Sequence, residues 1–222
     1  MLTVRRNMRN MTMRWKGGTL YMSVPVGASC TDIERALNDL RPKLRKAKSK
    51  EYLSYHIGQV IQCYGFTITL GEQDKLPNII VFSYSESNVV ASVPQGINLD
   101  EHGTKQWISK ALKVVAHERA AKVLLPLAES ITKRVGVSPI RFEIGRGLRK
   151  LGHCTPGKVI QLSANLVFLP AELIEYIVCH ELAHLTHMNH SPQFHALVNT
   201  YLMGREKELK KKLKDFSWPV MR

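Results

Sequence analysis

Apolar positions along this chain follow two periods, and the change between them divides it. In the first part they alternate or run in short bursts bounded by turn residues, the pattern of strands. Residues 11–15 and 19–24 flank Lys16-Gly17-Gly18 and predict a β-hairpin closed by a Gly-containing turn. Thr31 is the expected N-cap of a basic helix over 32–48, kinked or restarted at Pro42. Residues 59–70 and 78–93 supply further strands, the second broken by a turn at Glu86-Ser87-Asn88. From 100 to about 135 the period becomes helical, with Trp107, Ala111, Val114, Val115, Ala121, Leu124 and Leu125 on one side and a kink expected at Pro126. Strands follow at 141–144 and 158–162, on either side of a loop, and then a helix over 171–188 and terminal helices. The expectation is an α+β chain in which a mixed sheet packs on a late central helix. It divides into a β-rich part over 1–98 and a second part over 99–222, or forms one continuous domain over 1–222.

The late helix carries the chemistry. His180-Glu181-Leu182-Ala183-His184 puts two imidazoles four residues apart, on one helical face, where both can reach one ion. Glu181 lies about 100° round the helix, beside that ion rather than under it. A carboxylate there can take a proton from metal-bound water without occupying a coordination position. Asn189-His190-Ser191-Pro192 reads as a stop and restart: a left-handed turn at Asn189, Ser191 as N-cap and Pro192 at the first helical position. His190, on the turn, is then free to swing back as a third ligand, and three protein ligands leave a fourth position for water. Leu173 and Ile177 share the histidine stripe, and Ile174, Val178, Leu182 and Leu185 widen it. A helix so apolar is expected to be buried, with its ligand face on a cleft. His187 lies within about 20° of the stripe if the helix continues, and is read as a histidine behind the ligands or facing solvent. His195, inside the next helix, is an orienting or surface histidine.

Composition narrows the class. The chain has 222 residues, 44% of them hydrophobic, enough for a sizeable core. Cys30, Cys63, Cys154 and Cys179 are far apart and form no Cys-x-x-Cys pair, which argues against a zinc ribbon or a disulfide framework. There is no secretory signal pattern at the N-terminus and no stretch of the roughly 18 apolar residues that a membrane span requires. A cytoplasmic protein without membrane partners is expected. The formal charge of +14 concentrates in residues 41–50 and 207–214. Such runs are usually solvated helix faces, and they permit nonspecific contact with nucleic acid without implying sequence recognition.

The chain resembles the YgjP-like metallopeptidase family of zincins, related to the SprT-like proteases. The residues that carry the resemblance are Leu169-Pro170, the run from Glu175 to Leu185 that contains the histidine pair, and Asn189 to Phe194. Gly152-His153-Cys154-Thr155 and the following Val159 to Leu166 look like that family's Trp-Gly-Ser-Cys segment and its next strand. The resemblance implies a zinc-dependent hydrolase acting on peptide or protein substrates, with His180, His184 and His190 as ligands of Zn2+ and Glu181 as catalytic base. Two departures stand out: Leu151 in place of the usual Trp, and His153 in place of the usual small Ser. His153 is either a loop histidine or a donor to a developing oxyanion or bound substrate. The residues leave two other functions open. One is hydrolysis of a nucleotide phosphoanhydride, against which stands the lack of a P-loop-type glycine loop. The other is a basic nucleic-acid-associated protease or binding protein, against which stands Glu181, since a structural site needs no base.

Overall fold

The computed structural model describes residues 2–16, 19–48, 53–147 and 150–221, arranged as two compact units over 1–52 and 53–222. The expected hairpin turn at Gly17-Gly18, the end of the first basic run at Ser49-Lys50, and Leu148-Arg149 lie outside the described residues. No helix among the described residues is long and apolar enough to cross a membrane.

In the first unit, β2 (Thr12–Lys16) and β3 (Thr19–Pro25) pair antiparallel with Lys16 opposite Thr19, as the alternation predicted. The pattern did not reveal β1 (Leu2–Arg5), which pairs parallel with β3 and makes it the centre of a three-stranded sheet. Helix α1 (Cys30–Lys48) starts earlier than expected and continues through Pro42. Ser29, not Thr31, caps it. The Asp32 amide donates to Ser29 Oγ at 3.2 Å and the Ser29 amide donates back to Asp32 Oδ2 at 3.3 Å, the reciprocal arrangement of a capping box.

The second unit holds β4 (Val60–Cys63), β5 (Phe66–Gln73), β6 (Val81–Tyr84) and β7 (Asn88–Pro94) in a mixed sheet of order β4-β5-β7-β6. These strands therefore share a compact unit with the helical part, whereas the change of pattern in the sequence falls at 98/99. Phe66, Ile68 and Leu70 of β5 and Val89, Ala91 and Val93 of β7 point inward on alternate positions. Helix α2 (His102–Val135), 34 residues and so about 50 Å long, runs through Pro126 and ends on Gly136. Gly136 takes φ 73°, which lets its amide close the last turn on the Thr132 carbonyl. Buried Ile108, Leu112, Val115, Ala120, Leu124 and Ala128 line the core side of α2. They face a 3-10 turn, Ala164–Phe168, whose five residues are all buried. The C-terminal tail is strapped to α2, with the Met221 amide donating to Ser109 Oγ at 2.8 Å.

A second small sheet has β10 (Val159–Ser163) at its centre, parallel to β8 (Arg141–Gly145) and antiparallel to β9 (Gly152–Cys154). Strand β9 was expected as loop: three residues are too few to show alternation. Three helices follow: α3 (Ala171–Ala183), α4 (Pro192–Tyr201) and α5 (Glu206–Asp215). Helix α3 packs against β9, β10, α2, α4 and α5. It is buried nearly all round, including the side carrying Cys179 and Ala183, both 0% exposed.

Candidate metal centre

Helix α3 stops at Ala183, five residues before the end its periodicity predicts. The early stop has a use. His184, at the C-cap, donates from Nδ1 to the backbone carbonyl of His187 at 3.0 Å, a contact that a continuing helix would not allow. That bond leaves Nε2 as the free lone pair, so the backbone fixes both ring orientation and tautomer. His187 thus enters the site through its carbonyl oxygen rather than its imidazole. The restart is as predicted at Ser191, whose Oγ accepts from the Phe194 amide at 3.3 Å, with Pro192 in the first turn. Asn189 is not left-handed: the described non-glycine residues with positive φ are Asn78, Lys158 and Met203. The segment 184–190 turns without needing that conformation.

His180, His184 and His190 converge, each offering a ligating atom within 4.8 Å of the others. Nε2 of His180 and Nε2 of His190 lie 3.1 Å apart. Tetrahedral coordination at about 2.05 Å puts two ligand nitrogens about 3.3 Å apart, so His180 and His190 are already spaced for one ion, with His184 beside them. Burial, reinforced by the neighbouring imidazoles, holds the His180 pKa down at about 4. His184 is also lowered, by burial first, with its bond to His187 opposing. Both histidines are therefore held neutral, the state in which a ring nitrogen can bind a cation. Nδ1 of His180 is buried without a partner among the described residues.

The rings stand on Phe194, 0% exposed. It stacks on His184 at 4.5 Å between centroids and meets His180 and His190 edge-on, both at 4.8 Å. His195 lies parallel to His190 at 6.2 Å, and its Nδ1 is 2.6 Å from Glu206 Oε1, an ion pair when the ring is protonated. His195 thus lies beside His190, inside α4, and bonds to Glu206. Sequence reasoning did not assign Phe194 a part, although it closes the quoted run after Ser191-Pro192.

Glu181 is 6% exposed and turned toward β9. Burial pushes its pKa up to about 7, opposed by the Cys154 amide, which donates to the carboxylate, and by the charge of Lys150. Its side chain lies so close over Gly152 that a Cβ there would sit 2.5 Å from Glu181 Cγ and 2.7 Å from Cδ. Only glycine leaves that space. Lys150, Gly152, His153, Cys154 and Met188 close a cavity of about 320 Å3 round the three histidines and Glu181. His153 is exposed on its rim, opposite Gln161 of β10. The structure thus brings together His180, Glu181, His184, His190 and His153, with His187 joined by its backbone.

A family model described as YgjP-like, metallopeptidase domain matches residues 9–216. No curated protein and no solved structure matches the chain. The chain belongs to the YgjP-like family, whose metallopeptidase domain spans nearly all of it.

Proposed function

We propose that this chain is a zinc-dependent peptidase of zincin type, with His180, His184 and His190 as ligands and Glu181 as proton acceptor. The observation that carries the reading is the convergence of three imidazoles on one point beside a buried carboxylate held by a backbone amide. Three nitrogen donors suit zinc among the divalent ions and leave a coordination position open. The bound ion supplies Lewis acidity toward a peptide carbonyl and a water molecule.

The chain's own groups do the rest. The Cys154 amide and the bare Cα of Gly152 hold the Glu181 carboxylate in one place, so that it takes a proton from water and returns it to the leaving amine. A ligand-bearing helix packed against a mixed sheet with a short outer strand supports the zincin comparison. An extended peptide is held by adding a strand to the edge of a sheet. Strand β10 is paired on both sides, however, so an added strand can join the sheet beside the centre only at β9. Exposed His153 suits contact with a substrate side chain better than contact with a carbonyl oxygen.

Elemental analysis of untagged wild type, His184→Ala and Glu181→Gln, with casein, peptides and nucleoside triphosphates as substrates, tests this. Near-stoichiometric zinc in wild type and Glu181→Gln but not in His184→Ala is expected. Turnover of peptide should fall about 10²–10⁴-fold in Glu181→Gln, the usual worth of a general base. Zinc retained by His184→Ala, or hydrolysis of triphosphates alone, would refute the assignment.

A further inference from the structure

The solvent-facing side of the β8-β10-β9 sheet carries a cavity of about 680 Å3 that shares Lys150, Gly152 and His153 with the cavity of the metal centre. Its floor is laid out by strand register. Glu143, Gln161 and His153 are paired across the three strands, and Gly145 is paired with Ser163 one step further along the same face. The Gln161 side chain lies over the bare Cα of Gly145, where a Cβ would come 2.8 Å from its Cδ. No apolar side chain lines this cavity among the described residues: beyond glycine backbone it offers Lys150, His153, Gln161 and Ser163. Glu143, beside it, is neutralised by Arg141 at 2.7 Å. Glu181 is the only carboxylate among the described lining of the two cavities, and it is buried.

A peptide added along β9 would send alternate side chains to the two faces of the sheet. One set meets α3 and the histidines. The other set falls on the polar, cationic face. We infer that the cleft selects peptides carrying an acidic side chain close to the scissile bond, received by the Lys150 ammonium and the His153 ring. This rests on the peptidase reading above. The absence of an apolar lining disfavours a large hydrophobic side chain at that position, and the exposed Lys150 ammonium disfavours a basic one.

The test uses zinc-loaded full-length protein and fluorogenic peptides that differ only in Glu, Gln or Lys, moved in turn through the positions flanking the cleaved bond. At one of those positions kcat/KM should be about fivefold higher for Glu than for Gln, the upper range for an exposed ion pair, and lowest for Lys. Added salt should compress the difference. In Lys150→Glu the order of Glu and Lys should invert. Comparing peptides within one variant cancels any change in the basicity of Glu181. Binding of the same peptides to zinc-loaded Glu181→Gln, followed by fluorescence anisotropy, gives a readout free of turnover. Cleavage or binding indifferent to charge at every position would overturn the inference and leave the peptidase reading intact. Preferred binding of acidic peptides with none cleaved by wild type would do the reverse.

Discussion

Helix α3 buries nine of its thirteen residues, whereas α5, ten residues long and in the same compact unit, buries only Leu209. The first carries His180 and Glu181, with His184 at its C-cap. The second carries five of the chain's 32 lysines and arginines, exposed Lys207, Lys210, Lys211, Lys212 and Lys214. Burial raises the Glu181 carboxyl and lowers His180, while along α5 the charges are arranged for solvation: acidic residues in the first turn and lysines in the last, complementing the helix dipole. Chemistry that depends on a group's proton affinity needs a desolvated position on a rigid element. Net charge needs only a wet surface, which is why +14 by itself says little about what this protein does.

The contrast breaks most readily at Phe194. This ring is fully buried and touches all three candidate ligands, so Phe194→Ala should lose about 3–5 kcal/mol, as for other large-to-small aromatic changes in a core. Denaturant unfolding of the zinc-free protein measures that loss. If the ring also organises the ligands, zinc affinity should fall while Phe194→Leu recovers most of the stability and less of the affinity. A zinc affinity that follows stability in both variants would reduce Phe194 to a packing residue.

Gly152 sharpens the comparison with less damage. In Gly152→Ala the added methyl must displace Glu181 or move β9, an overpacking that costs about 1–3 kcal/mol. Peptide turnover should fall about 100-fold, because a displacement of about 1 Å at a reacting group has that effect, while zinc content stays near wild type. Equal turnover in the two proteins would show that Glu181 is not held where the chemistry needs it.

How much of this was legible in the sequence follows from the same physics. The spacing of His180, His184 and His190 and the Ser191-Pro192 restart are local patterns, and the structure brings the three rings together as the pattern suggests. The early end of α3 was hidden because it depends on a side chain meeting a carbonyl three residues on, not on periodicity. Ser29 and Thr31 are both cap-type residues, and the reciprocal partner Asp32, three residues after Ser29, was the overlooked discriminator. Strand β9 and the fit of Glu181 over Gly152 are contacts between segments far apart in sequence. Only the similarity of Gly152-His153-Cys154 to a family segment hinted at them.

Helix α5 should respond least. Lys207, Lys211 and Lys214 are exposed and make no ion pair among the described residues, unlike Lys212, which lies 2.8 Å from Glu208 and 3.1 Å from Glu172. Replacing those three lysines by Gln should shift stability by no more than about 0.5 kcal/mol, as at other solvated positions. Zinc content and peptide turnover should be unchanged, since the buried site owes its electrostatics to near neighbours. Nucleic acid is where the change would register. If α5 makes three phosphate contacts, the slope of log K for duplex DNA against log salt should flatten by about 2.7 in the triple variant. An unaltered slope would mean that these charges serve solubility alone. A fall in peptide turnover at unchanged zinc content would instead show that the wet helix acts on the dry one, and that charge and chemistry are not separate in this fold.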